Sequence, residues 1–484
     1  MKKTALLLLG LALTLQGVRA QSDFRAAYFM DGYIYGHTMN PALYANRNYI
    51  GIGVGNATVR NQSNLGFKTF FYPSGSQTVS FLDESVASSE FLGKLRPHNL
   101  ENIDLRETVL SFGFWTPRNH YHTFDLSVRA VGGLSVPYDI FRFMKEGSTD
   151  GTGYDLSGLS ARARAFAEAS YGVSRPVTDR LRIGAKAKLL VGLVYADARF
   201  NRFDVNLSGE RWSVASEGEL QASNLPITDA SQAVQFSDLL DVDSFEWEEV
   251  RPSGYGAAVD LGATWQATPW LEVSGSLLDL GFIHWRMDRM TADGNWEYTG
   301  FDNIDPSVEN GLQEQLDRKL DELDALTRFR RSDKGKPMDF LPLTLHAGAK
   351  AKPSDWFSAG ILATGHVEGK YSWAELRGSL NLEPANWLGL TAGGAYGTFG
   401  PKVSSALNFR LPLIALFVGA ELSSPYFVSE RAGDSRGLVK IFKDGDAAFP
   451  RDNLNLQIAV GLNFVFGKTA DKRLNPGRYT ETDN

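Results

Sequence analysis

The chain has 484 residues, no cysteine and a formal charge of −7. A secreted chain of this size without disulfides depends on regular hydrogen bonding and burial, and the acid excess argues against nucleic acid as a partner. Beyond the N-terminus no apolar run reaches the ~18–20 residues of a membrane helix; the densest, "LPLIALFVGA" at Leu411–Ala420, is far shorter. The mean hydropathy of −0.21 still admits a β-barrel, because lumen-facing residues dilute its lipid face.

Residues 1–20 read as a signal peptide. Lys2 and Lys3 precede an apolar stretch from Ala5 to Leu15, and Val18-Arg19-Ala20 resembles a cleavage site. Cleavage after Ala20 removes Lys2, Lys3 and Arg19 and takes the formal charge from −7 to −10. Residues 21–48 hold Phe24, Tyr28, Phe29, Met30, Tyr33, Tyr35 and Tyr44 without strand alternation, and Asn40-Pro41 marks a turn. Aromatic residues this dense are rarely left in water unless they bind something. The segment is therefore expected to plug the lumen of the domain that follows.

That domain opens with Ile50, Ile52 and Val54 alternating with Gly51, Gly53 and Gly55. The glycine face suits either close approach by the preceding segment or curvature of a wall. Period-two alternation then recurs along the chain. Phe124, Leu126 and Val128 oppose Thr123, Asp125, Ser127 and Arg129, and Leu181, Ile183, Ala185, Ala187 and Leu189 oppose Arg182, Gly184, Lys186 and Lys188. Near the C-terminus, seven apolar residues from Leu454 to Phe466 oppose Asn455, Gln457, Ala459, Gly461 and Asn463. Charge confined to one face of long strands points to a transmembrane antiparallel β-barrel.

Spans are expected near 49–60, 105–115, 121–134, 159–173, 181–196, 254–266, 270–283, 340–352, 356–367, 370–382, 387–398, 403–412, 413–423 and 453–466. Fourteen strands is an even number, which puts both ends of the barrel on one side. Asn64–Tyr72 alternates too, and reads as an extension of the first strand or a loop hairpin. Short turns such as "TPWLE", "PSDWF" and "PANWL" carry Trp270, Trp356 and Trp387, which with Trp265 suit a boundary girdle. The other connections are long: 137–157, 197–253, 284–340 and 423–452. Pro137–Gly147 and Ser307–Phe329 within them have helical spacing. The barrel should run from 49 to 466, leaving 467–484 as a polar periplasmic tail.

Chemistry-bearing motifs are few. Ser435 in "GDSRG" lacks the strand–turn–helix setting of a nucleophile elbow, and His120 and His122 have no third ligand in view. The acidic run Asp238–Glu249 lacks the glycine pattern of a calcium loop and reads as a solvated loop. No enzyme, metal or cofactor is expected. The notable cluster is the polar face that carries Arg129, Arg162, Arg164, Arg182, Lys186 and Lys188 against Asp125 and Glu168. It suits a selectivity-setting ring, or cross-strand pairs and ion pairs to the plug.

"MNPAL" (39–43), "YDLSGL" (154–159) and "LLDLGFIHW" (277–285) together resemble an uncharacterised family of Bacteroidota outer-membrane β-barrels related to long-chain fatty-acid transporter (FadL)-like barrels. The resemblance covers most of the chain beyond residue 20. It implies a barrel of about fourteen strands in the outer membrane, with the N-terminal segment folded into the lumen. Two function classes follow. One is a channel for small amphipathic or hydrophobic molecules. The other is a non-transporting platform for surface or secreted proteins, including a secretion system. Outer-membrane lipid and lipopolysaccharide are the expected surroundings.

Overall fold

A computed structural model describes residues 24–74, 77–147, 152–207, 211–224, 234–237, 239, 251–299, 321–323, 325–336, 338–423 and 455–467. The expected signal peptide, all but Gly467 of the expected C-terminal tail, Ser435, nearly all of the acidic run 238–249 and most of the stretch 307–329 with helical spacing lie outside the described residues.

Fourteen strands form the wall: β1 (Asn48–Ser63), β2 (His98–Trp115), β3 (Tyr121–Pro137), β4 (Ser160–Pro176), β5 (Leu181–Leu207), β6 (Gly254–Thr268), β7 (Leu271–Trp285), β8 (Leu343–Ser354), β9 (Phe357–Val367), β10 (Trp373–Ala385), β11 (Leu388–Gly397), β12 (Lys402–Arg410), β13 (Ile414–Ser423) and β14 (Leu456–Phe466). Each pairs antiparallel with its neighbours, and β14 pairs with β1 to close the cylinder. Closure leaves no sheet edge, which a sheet in hydrocarbon cannot tolerate.

Alternation sets the facing. Leu189 is 70% exposed and its neighbour Lys188 only 4%. Along β14, Leu456, Ile458, Val460, Leu462, Phe464 and Phe466 point out, while Gln457, Ala459 and Asn463 are buried inside. Trp265, Trp270, Trp356 and Trp387 are all exposed at the end where the turns are short.

The wall departs from regular pairing at identifiable places. Against β14, Ile50 faces Phe464 and Asn56 faces Gly461, so β1 spends six residues where β14 spends three. Against β2, the step from Ile52 to Asn56 meets only Leu110 to Thr108. The glycine-rich start of β1 thus contains a multi-residue bulge, for which glycine's backbone freedom is suited. A smaller bulge in β7 places Asp279 at φ 63° between the partners Leu277 and Leu280.

At the long-loop end the strands outrun the expected spans. β5 continues to Leu207 and forms a hairpin with Trp212–Ser223, which pairs with Asp288–Tyr298 and onward with Arg328–Lys334. The stretch expected at 197–253 as loop is therefore partly a projecting sheet. The cause is a one-residue slip at Leu193, after which Ala196, Ala198 and Phe200 continue the alternation in the opposite phase. The outer face of this extension is covered by a helix at Tyr138–Glu146 and by residues 65–95, through Phe81, Phe91, Phe141, Val194 and Phe200. Within 64–72 the chain forms a short helix and then a hairpin, Phe71–Ser74 with Gln77–Ser80, and does not prolong β1.

Replacing Ile458, outward on β14, by Arg should prevent assembly of most of the protein, because Arg near mid-membrane costs ~2–4 kcal/mol. Ile458→Ala should assemble normally. The heat-modifiable mobility of the folded barrel in outer-membrane fractions reads both.

Candidate functional site

The lumen is where polar residues and the N-terminal segment meet. Residues 24–47 lie inside the wall as two short 3-10 turns, Arg25–Ala27 and Ile34–Thr38, joined by irregular chain. Asn40 holds the second bend: its Oδ1 accepts the Ala42 N–H at 2.9 Å, and its Nδ2 donates to the Tyr28 hydroxyl and to the carbonyls of Ala263 and Gly275. Pro41 lies against β5, so that a β-carbon on Gly184 would overlap the Pro41 carbonyl. One on Gly360 would overlap the Phe29 ring, and one on Gly51 would overlap the Asn463 amide and come within 3.0 Å of the Tyr35 hydroxyl. Gly51 is thus closely approached, whereas the surroundings of Gly53 and Gly55 lie outside the described side chains.

At the short-turn end Asp31 anchors the segment. Its carboxylate pairs with Lys350 and with Lys352 (2.6 Å), and its carbonyl accepts from Arg410 at 2.9 Å. Burial alone would push the Asp31 carboxyl up, but the two ammonium groups hold it well below the usual carboxylate range.

Above Asp31, five groups close a ring. The Lys186 ammonium donates to Asp125 (2.9 Å) and to His37 Nδ1 (3.0 Å), His37 Nε2 meets the Tyr49 hydroxyl (2.9 Å), Tyr49 meets Ser111 (2.8 Å), and Ser111 donates back to Asp125 (2.6 Å). Because an ammonium only donates, His37 accepts at Nδ1 and carries its proton on Nε2. The orientation of every hydrogen in the ring follows from that one constraint.

A second network crosses the middle of the lumen. Lys188 pairs with Asp260 (2.7 Å) and Asp279 (2.6 Å), Arg129 with Asp279 (3.0 Å), and Arg106 with Glu168 (3.1 Å). The Asp279 N–H also donates to Asp260 at 2.7 Å, tying the bulge of β7 to β6. A third network joins the N-terminal segment to the upper wall: Arg25 pairs with Glu375 (3.4 Å), which also holds Arg377 (2.7 Å) and Lys402 (2.8 Å), and Arg377 reaches Glu421 (2.5 Å). Arg25 stacks on Trp373 at 4.4 Å.

The fourth lies at the long-loop mouth. The connection from β9 to β10 crosses to β4, five strands round the barrel by the shorter way. Glu368 pairs with Arg162 and Arg164, Arg164 also with Asp339 (2.9 Å), and the Tyr371 hydroxyl meets Ser160 at 2.7 Å. Burial works against the charge on Glu368, but His366 and the two guanidiniums outweigh it and bring the carboxyl down to about 2.

The basic residues singled out from the sequence therefore do not form one ring. Arg129, Lys188 and Glu168 share the middle network, Lys186 belongs to the His37 ring, and Arg162 and Arg164 are at the mouth. Arg182 sits at the short-turn rim, on Ser174 (3.0 Å) and the Asn119 carbonyl (3.1 Å) and over the ring of Tyr44. Sequence reading missed Arg25, Asp31, His37, Arg106, Asp260, Asp279, Lys350 and Glu368. Asp260 and Lys350 had a signal, being inward positions of alternating strands. His122, at the wall's outer face, meets the Tyr171 hydroxyl at 2.7 Å and stacks on Phe114.

A family model matches residues 41–421 and is described as "Family of unknown function (DUF5723)". The chain belongs to this family. No curated protein matches it. Among solved structures it is similar to the Ralstonia pickettii toluene transporter TbuX, at 8% identity over 91% of this chain and 93% of that one, with a TM-score of 0.37. The Pseudomonas putida toluene transporter TodX gives 9%, 92%, 94% and 0.38, and a Pseudomonas aeruginosa FadL homologue 11%, 91%, 94% and 0.38.

Lys188→Ala should lower barrel stability by about 3–5 kcal/mol, the usual cost of leaving buried carboxylates without their cation, read as earlier loss of the heat-modifiable form. The Asp31 anchor predicts a pH effect of defined sign. A lowered carboxylate contributes stability above its ordinary value of 3.8, and that contribution fades as pH falls below it. Protease access to residues 24–38 in the intact barrel should rise in acid, and Asp31→Asn should show the same access at neutral pH with little further change.

Proposed function

We propose that this protein is an outer-membrane barrel whose lumen is a gated passage for small amphipathic molecules, shut in this conformation from both ends. The N-terminal segment closes the end with short turns, taken as periplasmic, and the β9–β10 connection closes the mouth. The observation that carries the reading is that each closure adds ion pairs to its apolar packing: Asp31 on Lys350 and Lys352, and Glu368 on Arg162 and Arg164. A barrel that merely had to be filled is served better by apolar packing, since buried ion pairs recover their desolvation cost poorly. Ionisable residues at membrane depth are commonly functional. Lipid and lipopolysaccharide would surround the apolar outer face.

The projecting sheet of β5, Trp212–Ser223, Asp288–Tyr298 and Arg328–Lys334 supports the second reading, a platform for surface or secreted proteins. Trp212 is exposed on it and rests on Tyr298 at 5.6 Å.

Deleting residues 24–38 while keeping the signal peptide and Asn40-Pro41 should leave an inserted barrel with several-fold higher single-channel conductance and faster liposome swelling. Unchanged conductance from a well-inserted deletion variant would defeat the passage reading. Recovery of a stable partner by affinity capture from native membranes would then favour the platform.

A further inference from the structure

We propose that Arg162 and Arg164 form a binding site for the oxyanion of a small ligand with an apolar body, and that Glu368 occupies this site as an internal substitute when it is empty. The inference deepens the passage reading and rests on it only for the route of entry.

Glu368 is foreign to the wall it binds. It belongs to the five-residue connection 368–372, yet its Oε1 faces both guanidiniums on β4 across the mouth. The connection turns back at Gly369, whose φ of 53° favours glycine. Glu368 is the carboxylate that pairs with Arg162 among the described residues; the Nη2 of Arg162 donates to Asn102 at 3.4 Å. Two guanidiniums converging on one oxygen is the arrangement that recognises carboxylate or phosphate. Around the pair, His366 Nε2 meets the other Glu368 oxygen at 3.3 Å, Arg164 keeps Asp339 at 2.9 Å, Arg162 stacks on Tyr371 at 3.8 Å, and Lys370 donates to the Gly158 carbonyl at 3.2 Å.

Beside the two arginines lies a cavity of about 30 Å³, bordered by Arg60, Arg129, Phe166 and Trp373 and by the carboxylates Asp104 and Asp279, which already face Arg60 and Arg129. That is room for about one water. Lifting the connection off β4 would free the two arginines beside this space, whose apolar surface comes from Phe166, Leu341 and Trp373, with Arg129 over the Phe166 ring and Arg60 over the Trp373 ring. An incoming oxyanion that displaces Glu368 would therefore both bind and unlatch the mouth. The apolar part of the ligand would rest against Phe166, Leu341 and Trp373, which already line the cavity.

The test uses the full-length barrel in detergent, titrated calorimetrically with phenyl phosphate, benzoate, inorganic phosphate and benzyl alcohol. Phenyl phosphate or benzoate should bind, at least tenfold tighter to Glu368→Gln than to the unaltered protein. Arg162→Gln with Arg164→Gln should abolish that binding. Tyr371→Phe, which loosens the connection without changing any charge, should tighten it several-fold and covers the case in which Glu368→Gln fails to fold. Equal affinity in the Glu368→Gln, Tyr371→Phe and unaltered proteins overturns the proposal, as does benzyl alcohol binding as well as the anions. Inorganic phosphate matching phenyl phosphate overturns the apolar part of the site. Oxyanion binding in a barrel that never conducts would defeat the passage reading and leave this site standing.

Discussion

The pairing of β14 with β1 is the contact on which the rest of the molecule depends. Until it forms, the sheet has two free edges, and neither can be left in hydrocarbon. Once it forms, the chain has an inside, and every inward side chain must be matched within a fixed perimeter. The largest irregularity of the wall lies at the same seam, where β1 spends more residues than either neighbour.

Matching the interior is done by two means. Where the N-terminal segment passes closest, the wall recedes to glycine, and Phe29, Pro41 and Tyr35 occupy the space that side chains would have taken. Charges also neutralise each other between groups far apart in sequence; Arg25 of the N-terminal segment and Glu375 of β10 are separated by 350 residues. The result is a lumen in which neither apolar filler nor open water dominates. Such an interior is rigid while its pairs are intact and changes abruptly when one is broken, because a single unpartnered buried charge costs several kcal/mol.

Strand number and facing were legible in the sequence because both follow from local alternation: Lys188 and Leu189 declare their sides without reference to any other strand. The length of β5 was not, since the slip at Leu193 reverses the phase and makes Asp197 and Arg199 look like the start of a loop. Individual charged residues were visible, but their partners were not. Which carboxylate meets Arg162 depends on how a five-residue connection folds across the mouth, and nothing near Glu368 in the chain announces it. Asp279 sits in the motif "LLDLGFIHW" as an apparent break in an apolar run, and only the bulge turns it towards Lys188 and Arg129.

Asp279 also shows how tightly one position can be specified. Its backbone lies in the left-handed region, which glycine, asparagine and aspartate enter readily and most other residues avoid. Its side chain must carry a negative charge between two cations. Asparagine satisfies the shape without the charge, and glutamate the charge without the shape. Conformation and electrostatics can thus be separated experimentally at this residue, although nature has only one amino acid that serves both.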